Sequence, residues 1–256
     1  MGPEATVLVT NDDGIGSRFL LELAKAVGER RKVFVCAPDG ERSWIGHAIT
    51  RHERLIPQEV DGFDCPAWKV NGTPADCVNL AIGHLLPKKP DVVVSGINLG
   101  YNVTWPMILS SGTVGGALEG ALEGLPSIAA SMSLPVDCFD EIRENHGEVK
   151  GSLLDSLLVS ARRTADFVDE LANDSCNEKI QVHNLNFPEN TKEETPLATV
   201  QPAHLKLGSL FSPDAEGGYR LLYRPEWLDD ADPAPDTDLA ALRQGYASHA
   251  LLDFSV

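Results

Sequence analysis

Apolar positions follow two alternating periods along the first half of the chain. Ala5 to Thr10, Lys32 to Ala37 and Asp91 to Ser95 are short β-branched runs, and Ser127 to Ser131 is a weaker fourth. Continuous apolar runs of this length predict strands buried on both faces. Between the first two, Leu20, Leu23, Ala24 and Val27 recur at helical spacing within Ser17 to Arg31, with Ser17 placed as an N-cap. Asp76 to Leu86 and Thr113 to Leu125 lead helically toward the third and fourth runs. Repeated strand–helix units of this kind predict an α/β fold around a mostly parallel sheet with helices on both faces.

Residues 50–70 interrupt the rhythm and read as an excursion, a hairpin ending at Trp68-Lys69-Val70. Leu153, Leu154, Leu157, Leu158, Ala161, Val168 and Leu171 form one stripe of an amphipathic helix. Lys179 to Leu185 alternates like a strand that Pro188 stops. The remainder is richer in Pro and Asp, with a strand-like Tyr219 to Arg224 after Gly217-Gly218. A short helix spans Asp238 to Gln244, between Thr237 as N-cap and Gly245 as terminator. The expected organisation is an α/β domain over residues 1–200, including the excursion, and a C-terminal extension over 201–256.

Composition narrows the partners. With 256 residues, 43% of them hydrophobic, the chain can bury a sizeable core. No apolar run reaches the roughly 18 residues of a membrane-spanning helix, and the N-terminal segment lacks the pattern of a secretory signal, so no membrane partner and a cytoplasmic location are expected. The five cysteines, Cys36, Cys65, Cys77, Cys138 and Cys176, are scattered without a C-x-x-C spacing, which speaks against a disulfide framework or structural zinc. A net charge of -17 argues against a nucleic-acid duplex as partner, because its phosphates would be repelled. A small phosphate substrate stays compatible, since one metal ion reverses the local field.

The chemistry collects at the strand ends. The first run ends in Thr10-Asn11-Asp12-Asp13-Gly14, the second in Pro38-Asp39-Gly40-Glu41-Arg42-Ser43, the third in Ser95-Gly96-Ile97-Asn98-Leu99-Gly100. In a parallel sheet these loops share the carboxyl edge, where ligands bind. Asp12 and Asp13 offer hard anionic oxygens, and Ser43 and Asn98 are available neutral ones. Such a set suits Mg²⁺, Mn²⁺ or Ca²⁺ rather than zinc. Asn-Asp-Asp-Gly also fits an ordinary turn between strand and helix.

A second cluster, Ser110-Ser111-Gly112-Thr113, directly precedes the small-residue helix Val114-Gly115-Gly116-Ala117-Leu118. Free amides at a helix start make an anion site, and simple capping explains the hydroxyls equally. The Gly115-Gly116 pair favours the anion reading, because two glycines cost helix stability and would allow a phosphate to approach closely. The seven histidines form no metal-ligand pattern, and His47 alone lies near these loops.

In order and spacing these residues resemble the SurE survival-protein phosphatases, described as 5′/3′-nucleotidases. The resemblance is carried by Val9-Thr10-Asn11-Asp12-Asp13-Gly14-Ile15, Ala37-Pro38-Asp39 with Arg42-Ser43, Gly46-His47 with Ile49-Thr50, and Asn71 through Val78. It continues through Ser95-Gly96-Ile97-Asn98 with Gly100 and Asn102, then Ser111 to Gly120, Pro126 to Ala129, Thr237-Asp238 and Gly245 to Ser248. It implies a Rossmann-like, doubly wound three-layer fold and one divalent metal ion per subunit, Mg²⁺ or Mn²⁺. It places the metal on Asp12, Asp13, Ser43 and Asn98 and the phosphate on Ser111, Gly112 and Thr113 with Asn102 nearby; Asn11 and Ser110 complete the expected substrate set. It also implies a homodimer or homotetramer formed by exchange of C-terminal segments. Trp44, at a position usually small in the family, and Thr104-Trp105-Pro106 depart from the pattern, and residues 137–235 match weakly.

The expected activity is hydrolysis of nucleoside 5′- and 3′-monophosphates by a metal-activated water, with Asp12 and Asp13 as the catalytic acids. The rival is a non-catalytic nucleotide- or phosphate-binding module of the same fold.

Overall fold

The computed structural model describes residues 5–172, 179–221, 228 and 231–255. Its centre is a nine-stranded sheet. The strands are β1 (Thr6–Thr10), β2 (Lys32–Pro38), β3 (Gln58–Glu59), β4 (Ala67–Val70), β5 (Val92–Leu99), β6 (Ser127–Met132), β7 (Gln181–Phe187), β8 (Leu197–Val200) and β11 (Ala247–Asp253). They lie in the order β3-β4-β2-β1-β5-β6-β7-β11-β8. β4, β2, β1, β5, β6 and β7 pair in parallel, while β3 and β11 join antiparallel to their neighbours β4 and β7. All five residues of β1 are buried, as a strand covered on both faces requires.

One face carries α1 (Arg18–Gly28) and α6 (Ser152–Leu171), which bury Leu20, Leu23, Val27, Leu157 and Val168 in the largest core cluster. Arg30 and Arg31 reach Asp169 across this helix pair. The other face carries α2 (Pro74–Leu80) and α4 (Gly112–Leu122), with α3 (Trp105–Ser110) leading into α4. Two smaller clusters lie there, one around Leu8, Phe34 and Val93 and one around Val114, Ala129 and Val182. The expected three-layer, Rossmann-like α/β fold is therefore the observed one. Among the described residues no helix is long and apolar enough to cross a membrane.

Several expectations shift in detail. The helix expected from Asp76 starts at Pro74, capped by Thr73 in a box with Asp76, and relaxes into a π-turn over Ala81–Leu85. Ser17 and Thr237 stand at N-cap positions without a capping side-chain bond. The polar stretch after Asp137 holds the short helix α5 (Phe139–Glu144). Cys36, Cys65, Cys77 and Cys138 are free thiols, and Cys176 lies outside the described residues.

The boundary expected at residue 200 is not a structural one. β11 pairs with β7 over Ser248↔Asn186 to Asp253↔Gln181 and in parallel with β8, so the C-terminal strand is part of the main sheet. Its alternation, Ala247 and His249 toward one face and Ala250 and Leu252 toward the other, is short, and its pairing partners are distant in sequence. What stands apart is the hairpin of β9 (Phe211–Pro213) and β10 (Tyr219–Leu221). Residues 222–224 of the expected strand Tyr219 to Arg224 lie outside the described residues. The helix α7 (Asp238–Arg243) follows before β11, and buried Asp238 accepts from the amides of Thr104, Ala203 and Leu239.

Candidate active site

From β1 the chain moves outward to β2 and β4, then returns so that β5 flanks β1 on the opposite side. The carboxyl ends of β1 and β5 therefore border the point where the winding reverses, the expected crevice of such sheets. Asp12 and Asp13 occupy that point directly after β1.

Asp12 is buried and touches three segments. Its backbone carbonyl accepts from the amide of Arg42 at 2.7 Å, which docks the loop after β2. Its Oδ1 accepts from the Thr113 hydroxyl at 2.5 Å, at the start of α4. A Cβ built on Gly112 would lie 2.8 Å from both Arg42 O and Asp12 Cβ and 2.9 Å from Asp12 Oδ2, so only glycine lets the start of α4 pack this closely on Asp12 and the loop after β2. Asp13 Oδ2 accepts from the amide of Leu99 at 3.1 Å, next to Asn98 on β5. Loops far apart in sequence are thus assembled on two adjacent carboxylates.

These acids lack a counter-charge among the described residues. Burial pushes the Asp12 carboxyl up to about 6, against the hydrogen bonds from Thr113 that pull it down. Burial, and then the charge of Asp12, pushes Asp13 well above the usual carboxylate range. No cationic group contributes to either shift. Arg42, whose backbone docks on Asp12, turns its guanidinium away to Gly72 O and Asp39. Two desolvated carboxylates side by side favour either a proton or a cation between them.

The other expected ligands bracket the pair. Ser43 follows the Arg42 anchor, and its hydroxyl donates to Glu41 Oε1 at 2.8 Å. Asn98 donates its amide nitrogen to Gly100 O at 2.9 Å, which leaves Oδ1 as the atom available to a cation. Among the described residues no three His, Cys, Asp or Glu side chains group to hold a metal. A cation here thus depends on two carboxylates completed by neutral oxygens, a donor set that fits a hard divalent ion and not zinc. The missing counter-charge among the described residues fits the same ion.

The expected phosphate residues divide. Gly112 and Thr113 abut Asp12, and the Thr113 backbone amide also faces that carboxylate. The anion at the start of α4 in this structure is therefore Asp12 itself. Ser111 caps the helix by accepting from Val114 N at 3.2 Å. Ser110 donates back into α3, to Pro106 O, and its carbonyl accepts from Gly46 N. Asn102 is buried away from this group, with its side chain on Ser131 and its backbone held by Asn184 and Asn186. Asn11 braces its own turn by donating to Gly14 O, and its buried Oδ1 has no partner among the described residues.

The Gly115-Gly116 pair has a different cause from the one the sequence suggests. A Cβ on Gly115 would lie 2.5 Å from Gly46 O, and one on Gly116 would lie 3.0 Å from Ser95 Oγ and 3.1 Å from Pro74 Cβ. The glycines admit the loop after β2 on one side and the sheet and α2 on the other. Close approach is the reason, but what approaches is this protein itself, backbone at Gly115 and side chains at Gly116.

Glu119, which pattern reading passed over, is buried on α4. Its Oε2 meets His47 Nε2 at 2.7 Å and its Oε1 accepts from Asn79 at 2.7 Å. The His47 bond, foremost, holds its carboxyl below the usual range. The available signal was a lone acid four residues after Gly115 in a helix of small residues.

Known proteins resemble this chain over most of its length. The sequence profile of the family described as Survival protein SurE matches residues 7–206. A 5′-nucleotidase SurE of Moorella thermoacetica is 37% identical over 252 residues, covering 94% of this chain and 87% of that one. A 5′-nucleotidase SurE of Methanosarcina barkeri is 35% identical over 212 residues, covering 82% and 75%. The crystal structure of a SurE protein from Aquifex aeolicus superposes with a TM-score of 0.74 at 30% identity, covering 98% of this chain and 94% of that one.

Proposed function

This chain belongs to the SurE survival-protein family, and we propose that it is a 5′/3′-nucleotidase that uses one divalent metal ion, Mg²⁺ or Mn²⁺. The names of its relatives support the nucleotidase reading. The single observation that carries the metal is the adjacent carboxylates of buried Asp12 and half-buried Asp13, without a cationic partner among the described residues.

Asp12 through Oδ2, Asp13, Ser43 and Asn98 would hold the ion. Bound there, a divalent cation supplies charge stabilisation to a phosphoryl oxygen and makes a water nucleophilic near neutral pH. Thr113 fixes the Asp12 carboxylate in one rotamer by its hydrogen bond, and Leu99 N does the same for Asp13. Gly112 lets the start of α4 pack directly on Asp12 and on the loop that carries Ser43. The start of α4 and the Ser111 hydroxyl thus lie beside the carboxylate pair, suited to orient phosphoryl oxygens. Ser110, Asn11 and Asn102 support the loops around it.

The same reading includes a homodimer or homotetramer in the cytoplasm. Register places Phe211 opposite Leu221 and Pro213 opposite Tyr219, so one face of the β9–β10 hairpin is apolar. Phe211 is 56% and Tyr219 74% exposed. A two-stranded hairpin is marginal alone, which supports its packing on a second copy.

Phosphate release from 5′-AMP and 3′-AMP should appear with Mn²⁺ or Mg²⁺ and vanish with EDTA. Retained binding of metal and AMP, with no metal-dependent release from any monophosphate, would favour the non-catalytic binding module instead.

A further inference from the structure

Glu119 sits on α4 seven residues after Gly112, with its side chain 8% exposed. A carboxylate buried among small residues is costly unless both oxygens are partnered. Here both are, and the partners come from two other segments: Asn79 at the end of α2, and His47 in the loop after β2. An apolar side chain would fill the same space at lower cost to folding. The position of the loop explains the acid.

That loop carries Ser43. On one side of Ser43 the chain is fastened by Arg42 N on Asp12 O. On the other side its attachments include Gly46 N on Ser110 O and His47 on Glu119. Farther on, Ala48 O accepts from Thr73 and Thr50 N donates to Asp76. Between the two anchors the backbone holds Trp44 at φ 58° and Gly46 at φ 56°. A left-handed tryptophan is strained and persists only where its surroundings enforce it. The Ser43 hydroxyl also has a competing partner in the exposed Glu41 carboxylate. Left to itself, this stretch has both the strain and the alternative contact to carry Ser43 away from Asp12.

We propose that Glu119, acting through His47, is a positioning residue that holds the loop after β2 on α4 and thereby sets Ser43 beside Asp12 for the cation. The inference rests on the reading of Asp12, Asp13, Ser43 and Asn98 as the cation site. It assigns to the His47–Glu119 contact a task distinct from fold stability, and it makes cation affinity the property that responds.

The test is Mn²⁺ binding to the full chain, by calorimetry and by the EPR signal of free Mn²⁺, beside thermal melting in EDTA. Glu119→Leu should leave the melting temperature within a few degrees, because the partners it gives up, His47 and Asn79, reach solvent and can be hydrated. It should weaken Mn²⁺ about tenfold, the usual effect of removing a group that orients a metal ligand. His47→Ala should weaken Mn²⁺ similarly, while His47→Gln, which keeps an N–H donor, should restore most of it. Excess Mn²⁺ should recover AMP turnover in both weakened variants. Mn²⁺ affinity within twofold of the wild type for Glu119→Leu and His47→Ala would overturn the proposal while leaving the cation site standing. Loss of affinity only in step with loss of melting temperature would overturn it as well. A wild-type chain that binds no Mn²⁺ would remove the cation site and this inference together.

Discussion

Thr113 donates its hydroxyl to Asp12 Oδ1 across 2.5 Å, joining the start of α4 to the end of β1 over a separation of 101 residues. The bond uses one carboxylate oxygen and fixes the side chain, while Gly112 lets the helix start pack directly against Asp12. It is also the foremost contact that pulls the Asp12 carboxyl down against the effect of burial. Thr113→Val removes it at nearly constant volume. Its Mn²⁺ affinity should fall about 10- to 100-fold. The pH below which Mn²⁺ binding is lost should rise, because Asp12 then holds its proton more tightly. Titration of Mn²⁺ affinity against pH in both proteins checks this.

Asp12 also gives a linkage test in the metal-free chain. Its folded-state pKa of about 6 lies above its ordinary value of 3.8. Between those values the folded chain binds more protons than the unfolded one, so the Asp12 contribution to stability grows as pH falls from 7 and is complete below about 4. Near neutral pH the buried charge costs on the order of 2–3 kcal/mol. Asp12→Asn in EDTA should therefore melt several degrees above wild type at pH 7.5, with the gap closing as pH falls toward 4. Addition of Mn²⁺ should stabilise only the wild type. An Asp12→Asn variant that melts no higher than wild type at pH 7.5 would contradict the assignment.

Gly115→Ala separates the two explanations of the glycine pair. The new Cβ meets Gly46 O at 2.5 Å, backbone against backbone, so the loop must move. Overpacking of this kind costs about 1–3 kcal/mol. The variant should lose Mn²⁺ affinity along with stability, since the displaced loop carries Ser43. A selective loss of inorganic phosphate affinity with Mn²⁺ binding intact would restore the reading in which the glycines admit phosphate.

The β9–β10 hairpin is tested by oligomeric mass. The triple change Phe211→Ser, Tyr219→Ser and Leu221→Ser removes most of its apolar face while keeping the strand pairing. Light scattering after size exclusion should show a smaller species than wild type, with metal-dependent AMP hydrolysis retained. An unchanged mass would exclude the hairpin as the contact between copies.

The strand–helix rhythm of residues 5–131 and the acidic turn after β1 were legible because their causes are local: β-branched runs buried on both faces, apolar stripes at helical spacing, and polar residues at strand ends. Those alone determined the α/β class and the shared carboxyl edge, and made Asp12, Asp13, Ser43 and Asn98 the candidate oxygens there. The tertiary structure decided what depends on pairing over long separations. It placed β11 beside β7, where a short apolar alternation in the last residues carries no sign of its partner. It gave Gly115 and Gly116 to Gly46 and the sheet, because a glycine records that something approaches and not what. It set Asn102 on Ser131 and Ser110 on Pro106, since the sequence names an amide or hydroxyl without its direction. Burial of Asp12 beside half-buried Asp13 without a counter-charge among the described residues, and of Glu119 against the loop that carries Ser43, follows from how separate elements enclose those side chains, and composition and spacing hold no record of that enclosure.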